Sequence, residues 1–220
     1  MSSLIGVLGA LPDAKVRHCA RGEVIVHSFV DQDNVFIIKS GFVKAYTIDG
    51  EGDFKTQLIQ SEGELFPIVG IMDLPSVGCE FEAMTDCTVL CLPNKTVRQL
   101  LAERIDVSHM LFEQATHQFA TCSIWVYNLT FKHARKRIVH RLLDMGYRYG
   151  IRREDAAIML PPFNQIQIAD SINMSRECVN RELQYLERQG HLHTFANRIV
   201  LVDPEGLRKE VGMEDEQFYT

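Results

Sequence analysis

Ser175-Arg176-Glu177-Cys178-Val179-Asn180-Arg181 places a hydroxyl side chain directly ahead of a run that is polar on one helical face and apolar on the other. The Ser175 oxygen can accept from a free amide of a first helical turn, so the sequence predicts an N-cap there and a helix from Arg176. At about 3.6 residues per turn, Arg176, Glu177, Asn180 and Arg181 fall on one face and Cys178, Val179, Leu183 and Leu186 on the other. Such a helix has an apolar back and a polar front. Arginine offers a fork of donors to guanine O6 and N7, and glutamate accepts from cytosine N4. The front therefore suits G·C-containing steps of a DNA major groove. A solvated surface helix has similar composition, because Glu177 near the helix start also complements the macrodipole. The flanking sequence decides between the two.

Upstream, Pro161-Pro162 interrupts the chain, and Asn164-Gln165-Ile166-Gln167-Ile168-Ala169-Asp170-Ser171-Ile172 reads as a short helix capped by Asn164. Asn173 tolerates left-handed backbone and fits a tight link between helices. Downstream, Gly190 ends the second helix. His191-Leu192-His193-Thr194 can then pair with Arg198-Ile199-Val200-Leu201 around residues 195–197. Helix, turn, helix and hairpin in this order predict a winged helix-turn-helix. Arg176, Glu177 and Arg181 are its candidate base contacts, with Asn180 beside them; Gln165, Ser175, Asn197 and Arg198 are candidates for phosphates. Residues 134–149 read as the first helix of this domain, with Ile138, Leu142, Leu143 and Met145 turned inward.

This arrangement resembles the DNA-binding domain of the cyclic-AMP receptor protein and fumarate-nitrate regulator superfamily, CRP/FNR. Arg176, Glu177 and Arg181 match its Arg-Glu-x-x-x-Arg signature position by position, whereas the alternative Glu-x-x-Ser-Arg is not met, since Asn180 precedes Arg181. The resemblance implies TGTGA-like half-sites, with the arginines on guanines and the glutamate on cytosine. It also implies a homodimer on a two-fold operator, with double-stranded DNA and RNA polymerase as partners.

The amino-terminal half is rich in short β-forming runs: residues 22–26, 35–39, 42–46, 55–59, 79–83 and 88–92, separated by turns such as Ser40-Gly41 and Asp49-Gly50-Glu51-Gly52. The spacing resembles the cyclic-nucleotide-binding fold. Its recurring run appears as Gly41-Phe42-Val43-Lys44-Ala45-Tyr46, and its phosphate cassette opens here as Gly63-Glu64-Leu65. In cyclic-AMP-binding relatives that cassette ends in Arg and Ser or Thr, where a guanidinium grips the cyclic phosphate. Val77 and Gly78 stand in those places, and residues 66–82 contain no Arg or Lys. Cys122-Ser123 replaces the family's Thr-Ser at the base. The expected effector pocket comprises Gly63, Glu64, Leu65, Val77, Gly78, Cys122 and Ser123, in a form unsuited to cyclic AMP; Glu64 reads as a capping residue or a ligand acceptor.

Other cofactors have weaker signals. Cys19 is the only cysteine before residue 79, which argues against the amino-terminal iron–sulfur cluster of the fumarate-nitrate regulators. Cys87 and Cys91 share one side of a strand and read as buried apolar residues or a redox or metal pair. His191 and His193 share a face without a third ligand, so no metal is assigned. Haem sensing stays open, with no motif to select its ligand.

Residues 104–130 read as one long helix. Leu111, Ala115, Gln118, Cys122, Trp125 and Leu129 follow coiled-coil spacing and are the expected dimer seam, with Phe112, Phe119 and Val126 as a neighbouring stripe for the chain's own barrel; the alternative is a monomer that buries the whole helix against its barrel. The fold class expected is α+β: a sensor jelly roll over 1–103, a dimerisation helix and hinge over 104–133, and a winged helix-turn-helix with an acidic tail over 134–220. The hinge is expected near Lys132-His133, and the mechanism this arrangement suggests is a rotation of the DNA domains about it, driven by ligand or redox state at the barrel–helix junction.

A net charge of −6 over 220 residues argues against a DNA binder until it is divided. Residues 1–130 carry 9 Lys+Arg against 16 Asp+Glu, residues 131–201 carry 12 against 7, and the last nineteen carry 2 against 6. Positive charge thus lies where phosphate contact is expected. Of Arg135, Lys136, Arg137 and Arg141, most read as a solvated helix face. There is no secretory segment, membrane span or disulfide framework among the six cysteines, which predicts a cytoplasmic protein. A cyclic-nucleotide module without DNA activity would leave Arg176, Glu177 and Arg181 unexplained. An enzyme is not expected, since no Gly-rich phosphate loop, HExxH or nucleophile triad is present.

Overall fold

The computed structural model describes residues 3–28, 33–72, 78–154, 157–195 and 198–213. Val77 of the expected effector pocket, Asn197 of the expected phosphate contacts and residues 214–220 of the acidic tail lie outside the described residues. The chain divides into two compact units, Met1–Ser123 and Ile124–Thr220.

The first unit opens with α1 (Leu4–Gly9), capped by the Ser3 hydroxyl. Then follow β1 (Lys15–Cys19), β2 (Val24–Val26), β3 (Asn34–Ser40), β4 (Val43–Ile48), β5 (Phe54–Gln60), β6 (Leu65–Phe66), α2 (Ile68–Ile71), β7 (Glu80–Ala83), β8 (Cys87–Pro93), α3 (Asn94–Glu103) and α4 (Ile105–Leu129). Its strands form two four-stranded sheets, β1-β8-β3-β6 and β2-β7-β4-β5. Alternation along β3 explains the layering. Phe36 and Ile38 enter the core between the sheets with Val43, Phe66, Phe81 and Val89, and Val35 and Ile37 face the opposite way, under Leu8, Val97 and Leu111 of the helices. A strand buried on both faces reads as a continuous apolar run, as β3 does. Gly41 has φ 96°, and a Cβ there would meet the Asp86 carbonyl and Cys87 Sγ at 2.6 Å, so the turn into β4 admits glycine alone.

The second unit holds the last turn and a half of α4, then α5 (Ala134–Tyr149), β9 (Ile151–Arg152), β10 (Ile158–Met159), α6 (Gln165–Ser171), α7 (Arg176–Arg188), β11 (Leu192–Phe195), β12 (Arg198–Leu201) and α8 (Pro204–Glu210). The wing is broader than a hairpin: the sheet order is β11-β12-β10-β9. The two compact units divide inside α4, between Ser123 and Ile124.

The faces of α4 are the reverse of those expected. Leu111 is buried in the core of the first unit, Gln118 donates to the Leu65 carbonyl at 3.4 Å, and Cys122 faces a cavity of that unit. Trp125 lies within the second unit, where its indole nitrogen donates to the Ser171 carbonyl, and Ala115 and Leu129 are half-buried. Phe112 and Phe119, expected to pack on the barrel, are 73% and 74% exposed, and Val126 is 54% exposed. The barrel offers α4 a backbone acceptor, the Leu65 carbonyl, which also receives Gln114 Nε2 at 2.9 Å; two glutamines turned inward leave the phenylalanines outside.

Candidate nucleic-acid interface

The helix-turn-helix is built from local chemistry. Asn164 caps α6 by accepting from Gln167 N at 2.9 Å, while the Gln167 side chain accepts from Asn164 N at 3.0 Å, a complete capping box. Asn173 makes the turn at φ 51°, the one positive φ outside glycine among the described residues. Ser175 Oγ then accepts from Cys178 N at 3.2 Å and starts α7, and Gly190 at φ 80° follows its end.

On α7, Val179, Leu183 and Leu186 are buried, whereas Arg176, Glu177 and Arg181 are exposed, the Arg181 side chain to 69%. The Glu177 carboxyl is held below its ordinary range by its own backbone amide, then by Ser175 and Arg176, and so carries its charge at neutral pH. Cys178 is not part of the apolar back as expected. It lies half-buried at the flank, where Arg181 Nη2 donates to its sulfur at 3.2 Å, because residues three apart on a helix are neighbours.

The phosphate candidates are placed unequally. Ser175 is exposed at the helix start, where free amides favour an anion, and Arg198 is half-buried opposite Phe195 in the wing. Gln165 Nε2 donates to Asn180 Oδ1 at 3.1 Å, so these two side chains tie α6 to α7. Phe195, exposed to 60% in the wing, was not singled out from sequence, which shows no periodicity in so short a strand.

Much of the basic charge proves internal. Arg141 pairs with Asp144 at 2.8 Å, and Arg148 with the other oxygen of Asp144 at 2.7 Å. Arg137 donates to the Phe131 carbonyl at 2.7 Å, and Arg135 pairs with Glu182 and Glu210 at 3.0 and 3.1 Å while stacking on Tyr185. The expected solvated face is therefore largely framework. Burial of apolar surface on the same turns draws these arginines inward, where carboxylates and carbonyls meet them.

In the first unit a cavity of about 260 Å³ is walled by Leu58, Phe66, Ile68 and Phe81 together with Gln57, Gln60, Gln118, Cys79 and Cys122; no charged side chain lines it among the described residues. Of the expected effector residues, Cys122 stands at this wall. Glu64 Oε2 accepts from Ser61 N and Oγ at 2.7 and 3.3 Å and thereby closes the turn through Gly63, whose φ is 90°. Leu65 is buried, Gly78 takes φ 74°, and Ser123 is exposed, with its hydroxyl donating to the Phe119 carbonyl at 3.0 Å. Nearby, Lys44 is paired with Glu82 at 3.2 Å.

The remaining cysteines and histidines are likewise placed. Burial pushes the Cys87 thiol up, and it donates to the Phe42 and Thr85 carbonyls at 3.2 and 3.1 Å; Cys91 is half-buried beside the same core. His191 Nδ1 lies 3.3 Å from Asp203 Oδ2, while His193 is exposed on β11. Among the described residues no three His, Cys, Asp or Glu groups gather as metal ligands, and no helix is long and apolar enough to cross a membrane.

Two β-sheets with a long helix, and a capped helix-turn-helix with a wing, define the architecture of a DNA-binding regulator. Residues 16–104 match the cyclic nucleotide-binding domain family, and residues 136–210 match the Crp-like helix-turn-helix domain family. The chain belongs to the CRP/FNR superfamily of DNA-binding transcription regulators. It is similar to the CRP-like cAMP-activated global transcriptional regulator of Mycobacterium tuberculosis, 22% identical over 86% of this chain and 84% of that one. With the HTH-type transcriptional regulator ArcR of Staphylococcus aureus it shares 27% identity over 78% of this chain and 73% of that one. In fold it resembles FixK2 from Bradyrhizobium japonicum, with a TM-score of 0.77 at 22% identity over 89% of this chain and 96% of that one. A CooA mutant from Carboxydothermus hydrogenoformans also gives 0.77, at 20% identity over 95% of each chain.

Proposed function

We infer that the protein acts as a homodimer on a two-fold operator with TGTGA-like half-sites, read by Arg176, Glu177 and Arg181. The observation that carries this reading is the exposure of two guanidiniums and one ionised carboxylate on the front of a single capped helix. Arg176 and Arg181 suit guanine O6 and N7, and Glu177 suits cytosine N4. Asn180 acts on the reading front through Gln165. Ser175, Arg198 and Asn197 contact phosphates and position the helix without selecting sequence. RNA polymerase is the protein partner of such a dimer at a promoter, and the chain works by binding rather than as an enzyme.

Dimerisation follows from α4. Ile105, Phe112, Phe119 and Val126 recur every seven residues and all are exposed, a heptad stripe available to a second copy. Paired α4 helices would set two recognition helices about one DNA turn apart.

Cyclic AMP is not the effector in this reading. Its phosphate needs a cation, yet residues 66–82 contain none, the cavity wall is uncharged among the described residues, and Lys44 is committed to Glu82. Selection from a random oligonucleotide pool tests the whole assignment. A two-fold consensus with TGTGA-like halves is expected, and an unrelated consensus refutes it.

A further inference from the structure

Trp125 is the only tryptophan in the chain, and its indole nitrogen donates to the Ser171 carbonyl at 2.8 Å. Ser171 closes α6, so this carbonyl is among those a helix end cannot satisfy for itself. Two residues of α5 reach the same turn. Arg141 Nε donates to Ser171 Oγ at 3.0 Å, and Arg137 Nη1 donates to the Ile172 carbonyl at 3.3 Å. Asn173 follows at once with φ 51°, and Ser175 and Arg176 then open the recognition helix. The direction in which Arg176 and Glu177 leave the protein is thus set by a turn whose upstream end is held by donors from α4 and α5.

These donors are not equivalent. Arg141 also holds buried Asp144, and Arg137 also binds the Phe131 carbonyl, so removing either disturbs the framework. The indole has a single polar atom, and that atom goes to the turn. Asn128, about one helical turn along α4, places it: its Nδ2 donates to the Arg137 carbonyl and to His140 Nδ1, both at 3.1 Å, and pins the tail of α4 to α5.

We propose that Trp125 is a positioning residue for DNA recognition, its N–H holding the end of α6 so that the turn through Asn173 presents Arg176, Glu177 and Arg181 already ordered. Ordering beforehand removes a cost otherwise met on binding. It favours base contacts, which need three side chains in register, over phosphate contacts, which do not.

A single tryptophan makes the test clean. Biosynthetic replacement of tryptophan by 3-benzothienylalanine alters this one site, keeping the ring's shape while sulfur replaces the N–H; Trp125→Phe is the genetic counterpart. Full-length protein is titrated against the operator that the unaltered protein selects and against random duplex, and amide exchange is recorded. Using the selected operator makes the outcome independent of the TGTGA assignment. The expected result is a loss of about fivefold in operator affinity, unchanged affinity for random duplex, and faster exchange over residues 172–178 but not over 138–146. Unchanged operator affinity in the benzothienyl protein, or an equal loss on both duplexes with faster exchange in both segments, overturns the proposal.

Discussion

Arg141 and Asp144 form an ion pair of 2.8 Å within one helix, their side chains 7% and 4% exposed. The positive charge of residues 131–201 is therefore partly internal, and the phosphate-facing share is smaller than the composition implies. Removing the carboxylate would leave Arg141 and Arg148 facing each other in a buried site. Asp144→Ala should destabilise the protein by about 3–5 kcal/mol in urea unfolding. A loss below about 1 kcal/mol would show that the pair is solvated.

The exposed stripe on α4 predicts its own variants. Phe112→Asp with Phe119→Asp places carboxylates where two helices would meet, so sedimentation equilibrium should report the monomer mass and operator affinity should fall steeply. Gln118→Leu, on the inward face, should leave the mass unchanged. A dimer that survives the paired aspartates removes this interface from the account.

The cavity, uncharged among the described residues, predicts the response to cyclic AMP. Calorimetry on the full-length protein should detect no binding in the micromolar range, and operator affinity should not change when the nucleotide is added. Heat of binding with micromolar affinity would contradict the reading.

Thiol chemistry follows from burial. Burial pushes the Cys79 and Cys87 thiols up, and both donate hydrogen bonds, to Gln57 Oε1 and to the Phe42 and Thr85 carbonyls. The thiolate is the reactive form, so at pH 8 these two should resist a disulfide reagent in the native protein and react once it is unfolded. Prompt native labelling of Cys87 would contradict its placement.

Local signals carried the DNA-binding half. The caps at Asn164 and Ser175, the left-handed Asn173 and the stop at Gly190 each act within a few residues, so each was legible as chemistry. Long-range partners were not legible. Two apolar stripes run along α4, offset by one residue, and periodicity cannot say which meets the barrel. That choice rests on the Leu65 carbonyl, distant in sequence, which draws Gln114 and Gln118 inward. Arg141, Asp144 and Arg148 did carry a signal, spaced three and four apart, the spacing of helical ion pairs. Their burial depended on how α5 packs. Short edge elements such as β1 and β9, largely exposed, offer little hydrophobic alternation to read.

The most direct test of the recognition helix compares unaltered protein with Arg181→Ala on the selected operator and on derivatives changed at one base pair each. The account predicts that Arg181→Ala loses about 1–3 kcal/mol on the operator and becomes indifferent at one G·C pair, keeping its preferences elsewhere, while Arg198→Ala weakens every duplex alike. An Arg181→Ala protein that retained every base preference of the parent would contradict the claim that this helix reads the sequence.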